Sequence, residues 1–107
     1  MVEHYTYQVS WSEEDREFVA TCAEFPSLSW LAPGRAAALR GVEDLVAGVV
    51  ADLKKSGEPV PEPMAEREYS GRFVVRTTAA LHRRLAIEAA EKHVSLNRYV
   101  NLKLATG

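Results

Sequence analysis

Cysteine is all but missing from this chain of 107 residues: Cys22 is the only one. A single thiol rules out an internal disulfide and a Cys-pair metal site. That usage fits a reducing, cytoplasmic compartment, and Cys22 reads as a buried strand residue. Long apolar runs are missing too. None nears the roughly 18 residues that cross a bilayer, so no membrane association is expected. The opening MVEHYTYQV lacks a basic stretch followed by an apolar one, so no secretory signal is visible. Internal repeats and low-complexity tracts are absent. Hydrophobic residues reach 47% and charged ones 26%; this balance excludes a disordered chain and leaves a globular one.

Proline is scarce, but three of its five copies sit together. Pro59, Pro61 and Pro63 take alternate positions in SGEPVPEPMAERE, residues 56–68. Proline fixes φ and removes a donor, which excludes a helix and permits an edge strand or an extended linker. The expected boundary lies around Met64–Glu68, with a first domain at 1–65 and a second at 69–107. Charge divides at the same place. Residues 1–65 hold five basic against eleven acidic residues, a net of −6; residues 66–107 hold eight against four, a net of +4. The acidic part suggests a basic partner and the basic part suggests nucleic acid.

The first domain begins with alternation. Tyr5, Tyr7, Val9 and Trp11 share one face of HYTYQVSW, and Phe18, Ala20 and Cys22 share one face of EFVATCAEF. Two such runs with a short charged link predict a hairpin. SLSWLA, residues 27–32, predicts a third short strand, stopped by Pro33 and Gly34. From Arg35 the period changes: Leu39, Val42, Leu45, Val46, Val49 and Leu53 predict an amphipathic helix of about five turns. Gly57 suits the left-handed position after it. PVPEP would return as a short edge strand. The expected fold class is α+β, in the order β-β-β-α-β, with the helix on one face of a small antiparallel sheet.

The second domain opens on SGRFVVRTTAALHRRL, residues 70–85. Phe73 and Val75 alternate with Arg72, Val74 and Arg76. That predicts a short strand over 72–77, with no strand beside it in sequence. A helix follows from about Thr78 to Lys92, capped by Thr77 or Thr78, with Leu81, Leu85, Ile87 and Ala89 for packing. KHV makes a turn, and Ser95 caps a second helix carrying Leu96, Tyr99, Val100, Leu102 and Leu104. Arg83, Arg84, His82 and His93 read as surface residues. A segment of about 40 residues buries too little surface to stand alone. Two copies would solve both difficulties: the strands pair across a two-fold axis and four helices close one core. Phe73 and Val75 then point inward, and Arg72, Val74 and Arg76 outward.

RFVVRTTAALHRRLAIEAAEKHVSLNRYV resembles the ribbon-helix-helix DNA-binding family without gaps. The signs are the alternating strand, the spaced helix and Ser95-Leu96-Asn97 opening the second helix. Glycine is common in that family's inter-helix turn; here the position is His93, at some conformational cost. A two-stranded ribbon fits the major groove of DNA. Arg72 and Arg76 could each donate two hydrogen bonds to guanine, and Val74 could touch a thymine methyl. Ser95, Leu96 and Asn97, at a helix N-terminus, would grip a phosphate.

Across almost the whole chain, VSWSEED, FVATCAEFP, LSWLA, GEPVPEP and YSGRFVVR together resemble the HicB antitoxin family. The resemblance implies a partial RNase H-like fold for residues 1–65, which would block a HicA-like mRNA-cleaving toxin. It implies that the C-terminal domain represses its own operon from operator DNA as a homodimer, with a tetramer open. Glu13, Glu14, Asp15, Glu17 and Glu24 cluster around the hairpin and could contribute to covering the toxin, or could equally form a solvated loop; the sequence does not single out the contact residues. No cofactor, metal or catalysis is expected. Two-metal hydrolysis needs converging carboxylates, whereas Glu43 and Asp44 diverge on a helix and Asp52 reads as a solvated face. A stand-alone regulator with a ligand-sensing or oligomerising N-terminal domain is the alternative, and a nuclease the third.

Overall fold

A computed structural model of the chain describes residues 1–107. It divides into two compact units, Met1–Tyr69 and Ser70–Gly107. Unit 1 is built on three antiparallel strands in the order β1-β2-β3: β1 Tyr7–Ser12, β2 Glu17–Cys22 and β3 Ser29–Ala32. Val9 sits opposite Ala20 and Ala20 opposite Trp30, so the expected inward sets align in register. The β1–β2 turn closes with the Arg16 N–H donating to the Ser12 carbonyl at 2.8 Å. Arg16 takes the left-handed φ of 55° there. β3 is shorter than expected because Leu28 is drawn into a turn, its N–H donating to the Phe25 carbonyl.

Helix α1, Arg35–Lys55, covers one face of the sheet. Gly57 follows at φ 69°, the left-handed position foreseen for it. Its buried stripe is Ala38, Val42, Val46 and Val50, one row away from the leucines. Leu39 stays exposed, because the four-residue step from Ala38 to Val50 brings small side chains closest to the sheet. Tyr5, Ala20, Cys22, Phe25 and Ala32 complete the core. Trp30 leans on α1 at Gly41, where a Cβ would fall 2.0 Å from the indole ring. Cys22 is buried, and burial pushes its thiol pKa up, away from a nucleophile.

The expected fourth strand is not formed, so unit 1 runs β-β-β-α. Residues 58–63 pair with no strand. Its three prolines offer no N–H to a ladder. Side chains hold the segment instead. Pro63 is buried, Val60 packs on the core, and the Tyr5 hydroxyl donates to the Pro61 carbonyl at 2.6 Å.

Unit 2 contains α2, Ala79–Glu91, and α3, Leu96–Thr106. Thr78 caps α2, accepting the Leu81 N–H; Ser95 caps α3, accepting the Arg98 N–H. Between them His93 adopts φ 57°. Ala89 and Tyr99 are its buried residues, and Ile87, expected in the packing, is exposed on the far side of α2. Residues 72–77, expected as a strand, form none within one chain. A strand is defined by its ladder partner, and unit 2 contains no other extended segment that could supply one.

Candidate nucleic-acid interface

Unit 2 carries seven Lys or Arg against two Glu, and unit 1 six against thirteen acids. The excess of basic residues and Arg72, Val74 and Arg76, the residues expected to face bases, therefore share a unit. Arg72, Val74 and Arg76 are all exposed. Val74 is 87% exposed, and its apolar neighbours are exposed as well, Phe73 at 76% and Val75 at 65%. Three consecutive large apolar side chains in water are costly, on the order of 1.5–3 kcal/mol each relative to full burial.

Next to them lies an open, largely apolar groove of about 1050 Å³. Val75, Leu81, Leu85, Leu96, Val100 and Leu104 line it, with Arg76, Arg84, Glu88 and Lys103 among the polar members. Tyr99 ties the two helices together behind it, its hydroxyl donating to a Glu88 carboxylate oxygen at 3.1 Å while the Lys103 ammonium sits 5.4 Å from its ring centre. Four of the five leucines of α2 and α3, Leu81, Leu85, Leu96 and Leu104, line the groove.

The second expected group is at the α3 N-terminus. The Ser95 hydroxyl is already engaged, accepting the Arg98 N–H at 3.1 Å. The N–H groups of Leu96 and Asn97 donate to nothing within the chain, as the first turn of a helix leaves them. Leu96 is divided in role: its side chain lines the groove and its N–H points along the helix start. Arg76 and Leu96 line the same groove.

In unit 1 the hairpin turn keeps Glu13, Glu14 and Asp15 exposed, with Glu17 half-buried. Glu13 accepts from the Trp11 indole N–H at 2.8 Å, and the Arg16 guanidinium reaches it at 3.4 Å. Glu24, expected with this group, must be taken out of it. Glu24 is buried. Its carboxylate accepts the Thr6 N–H at 2.9 Å, the Thr6 hydroxyl at 3.1 Å and the Met64 N–H at 2.8 Å. Burial acts to raise its pKa, but the Met64 and Thr6 N–H groups outweigh it and hold the carboxyl down to about 2. The sequence signal for this was period: Glu24 continues the inward alternation of Phe18, Ala20 and Cys22. No three His, Cys, Asp or Glu residues converge as a metal site, and no helix is long and apolar enough to cross a membrane.

Residues 56–104 match the model of the HicB family, just under half of the chain and nearly all of unit 2. The match supports membership of that family and is consistent with an antitoxin role. No curated protein and no solved structure matches the chain.

Proposed function

We propose, from the HicB match across residues 56–104, that the chain is the antitoxin of a type II toxin–antitoxin pair and represses its own operon. Unit 2 would combine with a second copy into a ribbon-helix-helix module. Unit 1, read as a partial RNase H-like domain, would bind and block a HicA-like mRNA-cleaving toxin. The role is binding, not catalysis. The observation that carries this is the bare Phe73–Val75 segment beside an uncovered leucine groove, inside the matched stretch. A second copy supplies what each lacks: a strand for the segment and apolar side chains for the groove.

In that assembly the ribbon enters the major groove of DNA with Arg72, Val74 and Arg76 toward the bases. The free Leu96 and Asn97 N–H groups, at the positive end of α3, meet a backbone phosphate. Unit 1 works by charge. A nuclease that grips RNA needs a basic surface, and a unit with thirteen acids against six bases draws that surface in and covers it. Glu13, Glu14 and Asp15 are its exposed acids at the hairpin tip; Glu24 is not available.

Two measurements test the two halves. Pull-down of the full chain from its native host should recover one small basic protein whose ribonuclease activity the chain suppresses. Gel shift on DNA upstream of the chain's own gene should show a salt-sensitive complex. Recovery of DNA binding without any such partner would favour the stand-alone regulator instead.

A further inference from the structure

Phe73 to Thr77 are five consecutive residues that make no hydrogen bond inside the chain. The stretch is closed at both ends. On one side Ser70 occupies the backbone of Arg72: its hydroxyl oxygen accepts the Arg72 N–H at 3.1 Å and donates to the Arg72 carbonyl at 3.3 Å. Between them Gly71 sits at φ 81°, although a Cβ there would meet nothing within 4 Å. Backbone conformation, not space, calls for glycine at this point. On the other side Thr78 is committed to α2. Its hydroxyl accepts the Leu81 N–H at 3.1 Å and its carbonyl the His82 N–H at 3.0 Å.

We propose that two copies pair through this stretch as an antiparallel ribbon centred on Val75, with Val75 facing the partner's Val75 and Arg76 facing the partner's Val74. This rests on the two-copy ribbon proposed above and fixes its register. Residues directly opposite in an antiparallel pair project to the same face, so a two-fold axis that keeps Arg72, Val74 and Arg76 on one side must fall on a residue. Val74 and Val75 lie nearest the middle of the stretch; centring on Arg76 instead would set that arginine against its own copy. Centred on Val75, residues 73, 75 and 77 form about six ladder hydrogen bonds, all from unoccupied backbone groups. Centred on Val74, about four form unless Arg72 surrenders its bonds to Ser70. That register also sets Arg72 directly across from the partner's Arg76, and opposed like charges destabilise a strand pair. Val75 already lines the groove, so centring there sends the axial pair into the shared core.

Two consequences follow for recognition. Arg76 and Val74 lie closest to the two-fold axis, and Arg72 reads the outer positions. Ser70 and Gly71 become the stop that ends the ribbon at Phe73.

The test uses the full-length chain. In a Cys22→Ala background, Val75→Cys should oxidise to a covalent dimer, since its two Cα atoms lie about 5.5 Å apart, within disulfide reach. Val74→Cys should not, because its copies are diagonal neighbours about 7–8 Å apart. Amide exchange on the unsubstituted chain gives a second readout that needs no cysteine to be tolerated. Slow amides are expected at Phe73, Val75 and Thr77, with fast ones at Val74 and Arg76. A covalent dimer through position 74, a fast amide at Thr77 beside slow ones at Phe73 and Val75, or slow amides at 72, 74 and 76 would overturn the register while leaving the ribbon. Sedimentation of the unsubstituted chain as a folded monomer would remove the ribbon itself and both proposals with it.

Discussion

The Glu24 carboxylate accepts the backbone N–H of Met64 at 2.8 Å, joining residues 40 positions apart in sequence. The same group accepts Thr6 through both its N–H and its hydroxyl. One side chain thus fastens the end of the proline segment to the start of β1. Glu24→Gln turns one acceptor oxygen into a donor facing an N–H, and the expected loss is on the order of 3 kcal/mol. Urea unfolding at neutral pH measures it.

The pH dependence of the same contact has a definite sign. The folded carboxyl titrates near 2, below its value in an unfolded chain. Its contribution is therefore complete above the ordinary carboxylate range and is lost as pH falls through that range toward 2. Unfolding midpoints at pH 7 and pH 3 should differ less in Glu24→Gln than in the parent. Equal differences in both would show that Glu24 is not the group responsible.

Gly41 and Gly48 occupy the same helix and should respond oppositely to alanine. At Gly41 the new Cβ meets the Trp30 ring at 2.0 Å. Either the indole or α1 must move, at a cost of roughly 1–3 kcal/mol. At Gly48 nothing lies within 4 Å, so alanine simply improves the helix, by about 0.5–1 kcal/mol. Thermal unfolding of the two variants should bracket the parent, with Gly41→Ala below and Gly48→Ala above.

Much of the fold was legible because its signals are local. Alternation located β1 and β2, the switch of period located α1, and hydroxyl residues located the caps at Thr78 and Ser95. Where the structure departs from local pattern, the reason is physical. In α1 the stripe through Val42 and Val46 is legible, but its edge is not: Ala38 makes the close approach beside them, while the larger Leu39 stays exposed. The proline segment looked like an edge strand because its spacing alternates, yet alternation without donors gives no ladder. Glu24 carries the charge of a surface acid, but it continues the inward alternation two residues past the end of β2 and is buried. The ribbon segment is a different case: its apolar alternation is plain, but hydrogen bonding for it is absent from a single chain.

His93 holds φ 57° at the turn between α2 and α3, and its exposed side chain makes no hydrogen bond. A left-handed conformation costs an L-residue roughly 1–2 kcal/mol. Glycine removes that cost but adds freedom to the unfolded chain, about 0.5–1 kcal/mol. His93→Gly should therefore stabilise modestly, by about 0.5 kcal/mol, without changing DNA affinity. Unfolding should be followed at fixed protein concentration, because association contributes to apparent stability. A lower midpoint would mean that the imidazole has a contact in the assembled protein.

Arg72 and Arg76 are exposed and make no ion pair within the chain. Nothing in the fold depends on their charge, so Arg72→Ala with Arg76→Ala should leave unfolding and sedimentation unchanged. Binding to upstream DNA should change sharply. A bidentate arginine–guanine contact carries about 1–3 kcal/mol of discrimination, so the double variant should lose at least tenfold in affinity for its own site. The loss should be far smaller on unrelated DNA, where backbone contacts dominate. The two arginines also separate in kind. If Arg76 lies near the ribbon axis and Arg72 outside it, single alanine variants relax selection at inner and outer base pairs respectively. Gel shifts with single-position substitutions in the bound site distinguish these patterns. Uniform weakening across every DNA tested would assign the arginines to phosphates and leave base reading to other residues.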